Sequence, residues 1–191
     1  MKRVLSVTAM LAALGVILVI SGCGGIDEIT ARQIAREEAT NAIDTYTKSF
    51  VPQKFAFNTS WEKEFSYAQG VKTGNMIFVA GQLAHGQKVD ASGMPEFMMG
   101  DFEQQFRATL ENVKAVLASY GATMDDVVFL QNFVVPRTRS GKNIGNYNPI
   151  AAKLITEYFP NGLHAMTFAE IQGLYGDDQL VESNAIAVVS K

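Results

Sequence analysis

The chain carries two histidines among 191 residues, and one of them, His164, lies two places before Met166 in GLHAMTFAEIQ, residues 162–172. This stretch reads as a strand, in which residues two apart share a face. A histidine on such a face can serve as a general acid or base near neutral pH, or it can be a satisfied piece of core, the commoner fate of a lone histidine. The single cysteine, Cys23, allows no intrachain disulfide, and no Cys/His cluster has the spacing of metal ligands. Net charge is −3, and no Lys/Arg run lies beyond the first three residues. That balance argues against nucleic acid as the main partner, since phosphate contacts need a concentrated basic surface.

The elements that would position these residues fill one ordinary domain plus an N-terminal extension. Hydrophobic residues make up 48% of the chain, enough for a core and too many for a disordered protein. The extension opens with a short basic segment, MKR, an apolar stretch, VLSVTAMLAALGVILVI, and the small residues SGCGG, the three-part pattern of a secretory signal peptide. ISGC, residues 20–23, resembles the bacterial lipobox, which implies that Cys23 is lipidated and becomes the first residue of the mature chain. An uncleaved membrane anchor is the alternative. Either way the soluble part is tethered to a membrane in the cell envelope, durably so with several acyl chains. Cleavage would remove Lys2 and Arg3, leaving 14 of the 16 basic residues against 19 acidic ones, a net charge of −5.

After Gly24-Gly25, Thr30 and Gln33 have the spacing of a capping box, and Ala35, Ala39, Ala42, Ile43, Tyr46 and Phe50 recur at helical intervals. The expected helix, about 31–48, has a narrow small-residue face. That face suits a spacer lifting the domain off the membrane more than a packed or self-associating helix. The globular domain is expected over 53–191. Its parts are a first strand ending in a turn at Thr73-Gly74-Asn75, a buried strand over 76–84 and a loop-rich segment over 85–100. A helix follows, capped by Asp101 and stopped by Gly121, with Phe102, Phe106, Leu110, Val113 and Leu117 on one face. A strand over 127–135, a polar loop, a helix with Pro149 in its first turn, and strands near 163–171 and 180–189 complete it. The order β-β-α-β-α-β-β predicts an α+β sandwich, a mixed sheet with two helices on one face.

Three segments together resemble a known family. YAQGVKTGNMIFVAGQLA (67–84), FEQQFRATLENVKAVLASYGATMDDVVFLQNFVV (102–135) and GLYGDDQLVESNAIAVV (173–189) are similar, in order and spacing, to the Rid proteins, also called YjgF-like or reactive intermediate deaminases. The resemblance implies a chorismate-mutase-like fold and a homotrimer with small-ligand clefts between neighbouring subunits. It also implies hydrolysis of enamines and imines such as 2-aminoacrylate to 2-oxo acids and ammonia, with no metal or organic cofactor. In that family an arginine pairs with the substrate carboxylate through its planar fork. Tyr67 matches the tyrosine that closes the cleft, Gly81 and Gln82 match the glycine-glutamine pair beside the ligand, and Glu182 matches the glutamate near the attacking water. The arginine's place in a Pro-Ala-Arg-Thr-like run falls in His164-Ala165-Met166-Thr167, on Met166, and the pocket asparagine falls on Ala152.

Met166 offers no charge to a carboxylate. His164 is the candidate replacement cation or acid-base, and Arg137 and Arg139 lie on a loop within reach of a cleft. The expectation is therefore a tethered small-ligand protein with weak or absent deaminase activity. The alternatives are an active 2-imino-acid hydrolase using Glu182 and His164, a trimeric envelope scaffold, and, against the acidic balance, a ribonuclease.

Overall fold

The computed structural model describes residues 28–98, 100–136, 147–162 and 164–190. The signal segment, Cys23, Arg137 and Arg139 lie outside the described residues. The chain divides into two units, residues 1–51 and 52–191. The first contains helix α1, Glu28–Ser49. Thr30 lies inside this helix rather than at its cap, so the expected start at 31 is late by about one turn. Ala35, Ala39 and Ala42 are half-buried within the unit, and the Tyr46 and Phe50 rings meet edge to face at 4.9 Å. No described helix is long and apolar enough to cross a membrane.

The second unit is built on a six-stranded mixed sheet in the order β1-β2-β3-β8-β6-β7. The strands are β1 (Gln53–Phe55), β2 (Gly70–Thr73), β3 (Met76–Gln82), β6 (Val127–Val134), β7 (Ala165–Glu170) and β8 (Val181–Val188). Only the β6–β7 pair is parallel. Gly74, with φ of 60°, makes the β2–β3 turn where an L side chain would be strained. Short helix α2 (Ser60–Glu64) precedes β2, where sequence alone suggested the start of a strand. Glu62 is buried at the start of α2 and accepts from the backbone N–H groups of Phe57 and Thr59, both at 2.9 Å. The segment read as loop-rich instead forms a hairpin, β4 (His85–Val89) with β5 (Pro95–Phe97).

Helices α3 (Phe102–Ala118) and α4 (Asn148–Tyr158) cover one face of the sheet. Asp101 caps α3 by accepting from the Gln104 N–H at 2.9 Å, and Gly121, at φ of 73°, follows its end. The five apolar residues expected on the face of α3 are all buried, against Ile77, Val79, Leu130, Val134, Val181 and Ala185 of the sheet and Leu154 of α4. Ion pairs from Arg107 to Glu157 and from Lys153 to Glu103 at 2.7 Å tie the two helices along their solvent side. Alternation in β3 and β8 sends every second residue to this core. The remainder faces away from the helices: Met76 and Phe78 on β3, Phe129, Gln131 and Phe133 on β6, and Glu182, Asn184 and Ile186 on β8.

Candidate functional site

Glu182 sits between Val181 and Ser183, both fully buried on the helix-covered face, so its own side chain emerges on the other face. There it meets Gly81. The β3–β8 register shifts between Val79 and Gln82, and the irregularity places Gly81 directly under the carboxylate. A Cβ added at Gly81 would overlap Oε1 of Glu182 and stand 2.8 Å from its Cδ. The glycine is thus required by close approach, not by an unusual backbone angle. Burial pushes the Glu182 carboxyl above its ordinary value, and among the described residues no cation bears on it.

Beside this contact runs a short polar chain. Gln69 donates through Nε2 to the Tyr67 hydroxyl at 3.3 Å, and Gln82 donates through Nε2 to Gln69 Oε1 at 2.8 Å and to the Ala80 carbonyl at 3.0 Å. Gln82 is fully buried, and its Oε1 has no hydrogen-bond partner. Tyr67 is 38% exposed at the outer end of the chain. Burial raises its phenol pKa; the Gln69 hydrogen bond opposes that rise, and the fields of Glu62 and Glu182 add to it. The structure therefore brings together Tyr67, Gly81, Gln82 and Glu182, four of the residues selected from the sequence. Gln69 is the member that the sequence reading missed. Its signal was its place two residues after Tyr67, at the lead-in to β2.

His164 and Met166 do share a face, as period two requires, but within one chain it is not the face of Glu182. In the β6–β7 register Met166 pairs with the core residue Leu130, and Phe168 pairs with Asn132 and packs its ring against Phe106 of α3. Met166 lies two strands and three residues from Glu182, roughly 10 Å along each direction, and on the helix side of the sheet. It is 45% exposed because β7 is the sheet edge. The His164 ring lies 4.1 Å from the Phe159 ring, and both of its nitrogens are shielded with no hydrogen-bond partner. Burial lowers its pKa, so the role of replacement cation finds no support in this placement. Ala152 is exposed on α4 and brings no polar group.

The other histidine is structural. His85 is buried among the rings of Phe57, Trp61 and Phe97, and its Nδ1 lies 2.7 Å from the Gly86 carbonyl. Asn112 of α3 donates to the carbonyls of Leu83 and His85, fixing the β4–β5 hairpin to the helix. A groove of about 660 Å³ runs between hairpin and α3, lined by Lys88, Glu96, Gln104 and Arg107 among others. None of Tyr67, Gly81 or Glu182 lines it. No group of three or more His, Cys, Asp or Glu side chains suited to a metal ion occurs among the described residues.

The profile of the family described as Endoribonuclease L-PSP matches residues 58–189, the whole sheet domain but its first strand. The chain belongs to this family. A RutC family protein of Pyrococcus abyssi is 31% identical over 121 residues, 63% of this chain and 84% of that protein. The 3-aminoacrylate deaminase RutC of Acinetobacter baylyi is 28% identical over 123 residues, 64% of this chain and 86% of that enzyme. Among solved structures, the YjgF gene product of E. coli superposes with a TM-score of 0.55 at 28% identity, covering 71% of this chain and 98% of that one. The L-PSP family match begins at residue 58, so α1 lies outside the matched region.

Proposed function

We propose that this L-PSP family member is a lipid-anchored, chorismate-mutase-like homotrimer that binds a small ligand between subunits and has little or no imine deaminase activity. The observation that supports the reading is the seating of Glu182 on Gly81 beside Tyr67, residues that the family resemblance assigns to the ligand cleft; the same resemblance sets Met166 at the arginine's position, from where it would reach the cleft of a neighbouring subunit rather than Glu182 of its own chain. A thioether cannot supply the two charge-assisted hydrogen bonds by which a guanidinium holds a carboxylate. The reaction class comes from the relative named 3-aminoacrylate deaminase: an enamine or its imine tautomer takes up water and leaves as a carbonyl compound and ammonia. The family description names a ribonuclease, but the acidic balance and the lack of a Lys/Arg run beyond the first three residues do not favour binding to RNA phosphates.

The apolar part of the open face, Phe78, Ile186 and Phe129 in one row, supports association with further copies of the chain. Anchoring rests on ISGC and Cys23 alone. Replacing Cys23 by Ala should abolish incorporation of labelled fatty acid, and equal labelling of both proteins ends the lipoprotein reading. For catalysis, ammonia release is measured from freshly generated 2-aminoacrylate. Wild type should stay near the uncatalysed background, and Met166→Arg should release ammonia at least ~10-fold faster, the scale of one charge-assisted contact. Wild-type turnover matching that of the Acinetobacter enzyme would instead favour a hydrolase with Glu182 as its acid-base group, a role its raised pKa suits.

A further inference from the structure

We propose that the ligand held at Glu182 is a small nitrogen compound without a carboxylate, a neutral or protonated amine or imine that donates N–H to the Glu182 oxygens. This rests on the reading of the Glu182 face as the ligand site, and names what that site selects. Among the described residues of one chain, the charge around Glu182 has one sign. Glu182 and Glu62 both act on Tyr67, and among the described residues no ion pair reaches Glu182.

Its neighbours in the sheet are neutral. Phe133 stands opposite Glu182 in the register, and beyond it Ala169 follows on β7. The adjacent row across β8, β6 and β7 is Asn184, Gln131 and Thr167, three uncharged hydrogen-bonding side chains on the same face. A desolvated carboxylate without a counter-charge is stabilised by a cation or N–H donor and repels a second carboxylate.

Isothermal titration of the full chain with butylammonium, butyrate and 2-aminobutyrate tests this, because the three share a carbon skeleton and differ in charged groups. Wild type should bind butylammonium at least ~10-fold more tightly than butyrate, the scale of one contact to a charged group. Glu182→Gln, which keeps shape and removes charge, should weaken butylammonium and narrow the gap. Asn184→Lys, which adds the missing cation one row away, should weaken butylammonium and strengthen butyrate. Butyrate or 2-aminobutyrate binding wild type as tightly as butylammonium overturns the proposal and leaves the ligand site standing. An ammonium preference unchanged in both variants also overturns it, since binding would then be elsewhere. Absence of saturable binding by all three overturns the ligand-site reading itself, and this proposal with it.

Discussion

The same strands of the sheet present two unlike surfaces. Toward the helices, Ile77, Val79, Leu130, Val134 and Val181 are packed, and the polar pair among them is satisfied: Ser183 donates to Asn132 Oδ1 at 2.7 Å. Away from the helices, Phe78 is 42% exposed, and Glu182 is half-buried with no partner for its charge. The first surface closes on itself within one chain. The second holds an apolar row and a polar row side by side, each short of something the chain does not supply. Stability and function are thus separated by the period-two alternation of the strands, and a substitution one residue along changes which of the two it touches.

The largest test of that separation compares Leu130→Ala with Phe78→Ala. Removing the buried leucine should cost about 2–5 kcal/mol in urea unfolding. Phe78→Ala should cost much less per chain and should instead lower the assembly state seen by analytical ultracentrifugation. Equal losses from the two would mean that the open face is not an association surface. Next in size is Gly81→Ala. The new Cβ collides with the Glu182 carboxylate, which must leave its seat, at a cost of about 1–3 kcal/mol. Adding Glu182→Ala should recover most of that loss, and a double-mutant cycle reads the recovery directly. No coupling between the two sites would show that the carboxylate does not rest on the glycine in solution.

The smallest effect concerns pH. Burial raises the folded-state pKa of Glu182 above the ordinary value of 4.5, so folding favours its protonated form. Its contribution to stability is fully present below that ordinary value and is lost as pH rises through the folded pKa. Glu182→Gln should therefore be more stable than wild type at pH 7, within about 1 kcal/mol, with the difference shrinking below pH 4.5. Thermal melts across pH 4–8 check this against the two histidines, His85 buried and His164 half-buried. Burial lowers the pKa of His85 and of His164, and their stabilising share fades in the opposite sense, as pH falls below the ordinary 6.5.

Much of this architecture was readable because its signals are local. Five apolar residues at helical spacing with Asp101 before and Gly121 after define α3 without reference to anything distant, and β3 is a short β-branched and apolar run following a turn. The β4–β5 hairpin was hidden because Gly, Asp and Pro in its 85–97 sequence look like loop, while what holds it is Asn112, a residue of another element. Period two correctly grouped His164 with Met166. It could not say which face they share, because that is decided by the parallel register with β6, where Met166 falls opposite Leu130. Gly81 and Glu182 were each selected singly. Their contact depends on a register shift between strands a hundred residues apart in sequence, and such shifts leave no local trace.

That contact also constrains the order in which the protein can change. While Glu182 is present, position 81 admits a side chain only if the carboxylate is displaced, so a single change there costs stability and unseats the acid. Once Glu182 is lost, the restriction lifts, and any residue that enters position 81 then occupies the space the carboxylate would need to return. Loss of the acid is reversible only until the glycine is replaced. The two positions therefore change more easily in one order than in the other, Glu182 first and Gly81 second.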